Sequence, residues 1–119
     1  MEKIKSFKEL KIWQKGIEIV GDIYRFSKEF PQHEIYGLTA QIKRAAISIP
    51  SNIAEGFKRS HSKEFRQFLH IALGSLAELE TQTIIANQQG FLDADNLSIL
   101  SEKFDHLSRM ICILEKKLK

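Results

Sequence analysis

The stretch Gln41–Gly56, QIKRAAISIPSNIAEG, decides the fold. With Leu38 just upstream, Ile42, Ala45, Ile49 and Ile53 recur every three or four residues, the period of one helix face. Arg44, Ser48, Ser51 and Glu55 follow the same period and make a polar stripe. Pro50 stands inside both. Proline has no amide hydrogen to donate and crowds the carbonyl four residues back, at a cost of about 3 kcal/mol in a helix interior. Two regular stripes running past it predict a helix that continues through the proline and is kinked at Pro50.

Outward from this segment, the remaining sequence reads as three more helices. Ser6-Phe7-Lys8-Glu9 fits a capping box, with Ser6 as N-cap and Glu9 reaching back, so the first helix is expected over about 7–28, ending before Phe30-Pro31. The second is expected over 35–57, with Gly56 close to its C-cap. The third is expected over 62–89, with Ser62 as N-cap and Gly90 as terminator. The fourth, over 94–118, opens at Asp93 or Asp95. In it Leu97, Leu100, Phe104, Leu107, Ile111, Leu114 and Leu118 form an unbroken seam of threes and fours. No stretch alternates with period two, so no strand is expected. Short connections between long helices favour antiparallel neighbours, which gives an all-α, up-down-up-down four-helix bundle as one domain over residues 1–119.

The first helix carries two apolar stripes. Leu10, Trp13, Ile17, Val20 and Tyr24 form one; Ile12, Ile19, Ile23 and Phe26 form the other, about 100° per residue around the axis. One bundle core needs one stripe. The second either widens burial within the subunit or forms a subunit interface, and the interface reading is preferred for Ile12, Ile19, Ile23 and Phe26 because contiguous apolar surface marks association. In the third helix, Gly74-Ser75 offers a place where a neighbouring backbone could approach closely.

The composition is that of a soluble globular chain, 43% hydrophobic and 28% charged over 119 residues. No apolar run approaches the roughly 20 residues that span a bilayer, and the charged start MEKIKSFKEL is unlike a signal peptide. Cys112 is the one cysteine, which excludes an internal disulfide; the expectation is a cytoplasmic protein with no membrane role. A net charge of +3 and a pI near 9.0 permit an acidic partner without requiring one.

The pattern Phe7…Leu10…Trp13, Phe30-Pro31…Glu34…Gly37-Leu38, Arg44-Ala45-Ala46…Ser48-Ile49-Pro50…Asn52-Ile53-Ala54-Glu55-Gly56 resembles the bacterial four-helix bundle family named after 23S rRNA intervening sequences, the S23 ribosomal protein-like family. Glu64-Phe65, Phe68, Ala72, Gly74-Ser75 and Glu78-Leu79 extend the likeness over nearly the whole chain. The resemblance implies a homopentamer. It also implies kinship with the accessory protein of diversity-generating retroelements, which binds nucleic acid and a partner reverse transcriptase. Many members of the family have no assigned activity, and the family name records where some reading frames lie rather than a ribosomal role.

Two sets of polar residues compete for function. Arg44, Ser48, Asn52 and Glu55, with Ser75 and Glu78 from the third helix, are expected to form a cluster that pins the bend at Pro50 rather than a ligand site, since buried polar groups need partners. Lys58, Arg59, Lys63 and Arg66 around the second turn, with Lys43 upstream, could meet phosphates. No catalytic constellation is visible, the histidines at 33, 61, 70 and 106 are dispersed, and neither a metal nor a cofactor is expected. The function expected is therefore a non-enzymatic, homo-oligomeric module that engages RNA, DNA or a nucleic-acid enzyme such as a reverse transcriptase. The alternative is a protein-interaction scaffold with no nucleic-acid role.

Overall fold

In the computed structural model, which describes residues 3–118, four helices run back and forth along one axis: α1 Lys11–Ser27, α2 Leu38–Lys58, α3 Ser62–Gln88 and α4 Ala94–Lys117. No strand occurs among the described residues. At about 1.5 Å per residue the 27-residue α3 is long enough to run most of the length of a body measuring 47 × 25 × 20 Å. α2 and α3 pack most extensively, then α1 on α2 and α3 on α4, while the α1–α4 seam is the sparsest.

Local chemistry sets the ends. The Ser6–Glu9 capping box forms as expected, with Ser6 Oγ accepting from Lys8 N–H and Glu9 Oε2 accepting from Ser6 N–H. It caps only a 3₁₀ turn, Phe7–Glu9; Leu10 is extended, and α1 starts after it. A second 3₁₀ turn, Gln32–Glu34, precedes α2, and there Glu34 Oε1 accepts from Leu38 N–H at 3.0 Å. That carboxylate supplies the cap that Gly37 lacks, at the helix end where negative charge is favoured. α3 stops as read from the sequence: Gly90 takes φ +83°, and Phe91 N–H and Gly90 N–H donate to the carbonyls of Ala86 and Asn87. Asp93 caps α4 by accepting from Asn96 N–H at 2.8 Å. Ser62 does not cap α3; His61 holds that position without a side-chain bond.

The core is mostly aliphatic, with Phe104 and Phe30 as its buried aromatic rings. Ile42, Ala45, Ile49 and Ile53 of α2 meet Leu69, Ala72, Leu76, Leu79 and Ala86 of α3, and the α4 seam closes on them through Leu100, Phe104, Leu107 and Ile111. α1 corrects the expectation. Ile12, Ile19 and Ile23, read as a subunit interface, are 4%, 1% and 1% exposed within the single subunit, and Phe26 is half-buried against the same core. Of the other stripe, Leu10 is buried and Trp13 and Val20 are half-buried against the core, while Ile17 and Tyr24 are exposed. Both stripes satisfy the helical period, and which one is covered depends on where α4 lies.

Two glycines also change roles. Gly56 is not a cap: α2 runs past it to Lys58, and a Cβ there would lie 2.7 Å from Phe68 Cβ and 2.9 Å from Phe65 Cδ1. It is the residue that lets α2 and α3 touch. Gly74, expected at that contact, is exposed with nothing within 4 Å of its Cβ position. At Pro50 the helix is continuous, with no break to mark a kink. The ring packs against Gly16, where a Cβ would lie 3.4 Å from Pro50 Cβ and Cδ.

Candidate functional site

The antiparallel order gathers charge at one end of the bundle. Gly16 lies opposite Pro50, and Trp13 shares a groove with Ala54, so the chain N-terminal to α1 reaches the end of α2. Phe57 and Phe65 stack edge to face, 6.1 Å between centroids, across the α2–α3 turn. Lys11 and Lys117 flank a common groove between α1 and α4, and Arg66 Nη1 donates to the Leu118 carbonyl at 2.8 Å. Lys8, Lys11, Lys58, Lys63, Lys116 and Lys117 therefore lie at the same end, all exposed. Carboxylates there are engaged: Glu9 in its capping box, Glu55 and Glu64 with Arg59, and Glu115 with His70. The opposite end, where Phe30 meets Phe91, carries Glu29, Glu34, Asp93 and Asp95.

The five cations read from the sequence separate on this frame. Lys58 and Lys63 belong to the lysine-rich end. Arg59 donates to Glu55 at 2.8 Å and lies 4.9 Å over the Phe68 ring, and Arg66 holds the last turn of α4. Both are occupied by structural contacts. Lys43 lies elsewhere, 4.6 Å over the Tyr24 ring. Lys8, Lys11, Lys116 and Lys117 were missed because they are distant in sequence; the antiparallel topology itself was the signal that joins them.

The polar cluster forms in part. Ser48 Oγ and Ser75 Oγ share a hydrogen bond of 2.8 Å, and Asn52 Nδ2 donates to Ser48 Oγ and to the Ser48 carbonyl at 2.9 and 2.8 Å. These three side chains join α2 to α3, and the carbonyl they satisfy is that of Ser48 rather than the one four residues before Pro50. Arg44 and Glu78 stay outside the bonded set and line a depression beside it with Gln41 and Gln82, while Glu55 turns to Arg59.

A further charged group bridges the thin α1–α4 seam. Asp22 is buried, accepts from Arg25 within α1 and from Lys103 Nζ of α4 at 2.6 Å, and Glu18 lies 3.1 Å from the same Nζ. The hydrogen bond to Asp22, aided by Glu18 and opposed by burial, holds the Lys103 ammonium above the usual lysine range. Among the described residues no group of His, Cys, Asp and Glu could hold a metal ion, and no helix is long and apolar enough to cross a membrane.

A largely apolar groove of about 290 Å³ runs between α1 and α2, lined by Trp13, Ile17, Val20, Ile47, Pro50 and Ala54, with Ser51 as its polar member. Ile17 and Ile47 are 44% and 41% exposed.

Comparison with known proteins places this bundle. A crystal structure of a protein of unknown function from the S23 ribosomal protein family of Bacteroides thetaiotaomicron superposes with a TM-score of 0.78 at 19% identity. The match covers 88% of this chain and 98% of that one, and at that identity it speaks for the fold alone. Curated proteins give no match. The model of the 23S rRNA-intervening sequence protein family spans residues 8–112, which takes in α1 to α3 and most of α4, and the chain belongs to that family.

Proposed function

We propose that this protein is a non-enzymatic, homo-oligomeric binding module that engages nucleic acid through its lysine-rich end. One observation carries the reading: six exposed lysines from four separate segments converge where the nearby carboxylates are already paired. Lysines in this state are hydrated point charges, suited to phosphates along a backbone and unsuited to reading bases. Phe57 and Phe65 pack on each other and on the core, so base stacking contributes little there. Binding should thus be electrostatic and indifferent to sequence, whether the polymer is met alone or in the hands of a polymerase.

Self-association rests on the outward apolar stripe. Trp13, Ile17, Val20 and Ile47 form a groove that a second subunit would cover, and the family resemblance suggests five copies in a ring. The same groove is the feature that favours the second reading, a scaffold for another protein with no nucleic-acid role.

Fluorescence anisotropy with a labelled single-stranded RNA and a labelled duplex DNA separates the two. The first reading expects binding at about 50 mM salt that weakens by an order of magnitude or more at about 200 mM. It also expects loss of binding when Lys58, Lys63, Lys116 and Lys117 are replaced together by Glu, and none when Lys28, at the far end, is. Absence of binding at the lower salt concentration refutes it.

A further inference from the structure

Between the first half of α2 and the second half of α3 lies a depression of about 410 Å³ that the lysine-rich end does not reach. Its lining is Gln41, Arg44, Ala45, Ser48, Glu78 and Gln82, of which only Ala45 is apolar. Arg44 and Glu78 enter from opposite helices, yet no ion pair joins them. Gln82 is only 9% exposed, and its Oε1 has no hydrogen-bond donor. A buried carbonyl oxygen without a donor costs about 1–3 kcal/mol, a cost that turning the terminal amide toward the depression would relieve.

We propose that this depression binds a small zwitterion of the free α-amino-acid type. The charge arrangement selects the class. A polyanion attracted by Arg44 would be repelled by Glu78, and an apolar ligand would leave the polar ends of Gln41, Arg44, Glu78 and Gln82 without water or partner. A molecule carrying a carboxylate and an ammonium group satisfies both at once. The carboxylate meets the Arg44 guanidinium, whose planar fork fits two oxygens. The ammonium meets the Glu78 carboxylate and, after the terminal amide turns about its last torsion, Gln82 Oε1. Gln41 supplies a second amide at the rim, and the Ser48–Ser75–Asn52 bonds hold the floor. The volume falls in the range of about 300–1,000 Å³ usual for small-molecule sites.

The test is differential scanning fluorimetry of the full chain, with each of the standard free L-amino acids as probe in turn. The expected result is a Tm rise of several degrees for one or a few probes at about 100 times Kd. Arg44→Ala and Glu78→Ala, both at exposed positions, should fold normally and abolish the rise. Gln82→Leu should weaken the responding probe about tenfold, read by calorimetry. The proposal is overturned if no probe raises Tm, or if the rise survives both alanine variants. It is overturned equally if light scattering shows those variants changing the number of associated copies, which would assign the depression to contact between subunits.

Discussion

At Gly56 a hydrogen atom stands where a Cβ would lie 2.7 Å from Phe68 Cβ, an atom tied to its own backbone. Gly56→Ala must push α2 and α3 apart. Urea unfolding should show a loss of about 1–3 kcal/mol, despite the better helix propensity of alanine. Gly74→Ala, in open space on the same pair of helices, should gain about 1 kcal/mol in the same measurement. Sequence spacing does not carry the distance between helices, so from it Gly56 reads as a cap and the close approach is expected at Gly74, whereas the close approach is at Gly56. The ion bridge at Asp22 makes a second residue-scale prediction. Lys103→Met should cost about 1–2 kcal/mol near neutral pH, less than a fully buried pair, because Lys103 and Arg25 both reach solvent. The folded state binds the Lys103 proton more tightly than the unfolded chain, so this contribution is complete below the ordinary lysine pKa. It disappears as pH rises through the raised value. Chemical unfolding of wild type and variant at stepped alkaline pH should show the gap closing.

The helices themselves were legible, because capping residues and periodicity act within a few residues. Gly90, Asp93 and the Ser6–Glu9 box each make the bond the sequence suggests. The start of α1 was not, since Leu10 is drawn into an extended conformation between the box and the helix. Nor was the choice between the two stripes of α1, which the neighbouring helices decide. In α4, the last turn depends on contacts from α3: Arg66 donates to the Leu118 carbonyl, and His70 Nε2 lies 2.7 Å from Glu115 Oε2. Oε2 is buried, and the His70 ring nitrogen is the group that faces it. Arg66→Ala should raise amide exchange in residues 114–117 about tenfold while leaving Phe104 and Leu107 protected, as measured by hydrogen–deuterium exchange.

At the scale of the molecule, the candidate site was half legible. Lys58 and Lys63 stand out as a local run, but the lysines of both chain ends join them only once the helices have folded back. The proposed association belongs to this scale too. Ile17→Asp combined with Ile47→Asp puts charge into the outward groove without touching the core, so the mass found by light scattering should fall to that of one subunit while the helical circular dichroism is kept. The segregation of lysines and carboxylates to opposite ends gives any such assembly a sidedness. Rotation about an axis never inverts a helix, so a ring whose subunits stand along that axis would gather every cationic end on one rim and every anionic end on the other. A nucleic acid strand would then be received from one side and turned away from the other, and the particle would have a front and a back although each subunit is identical.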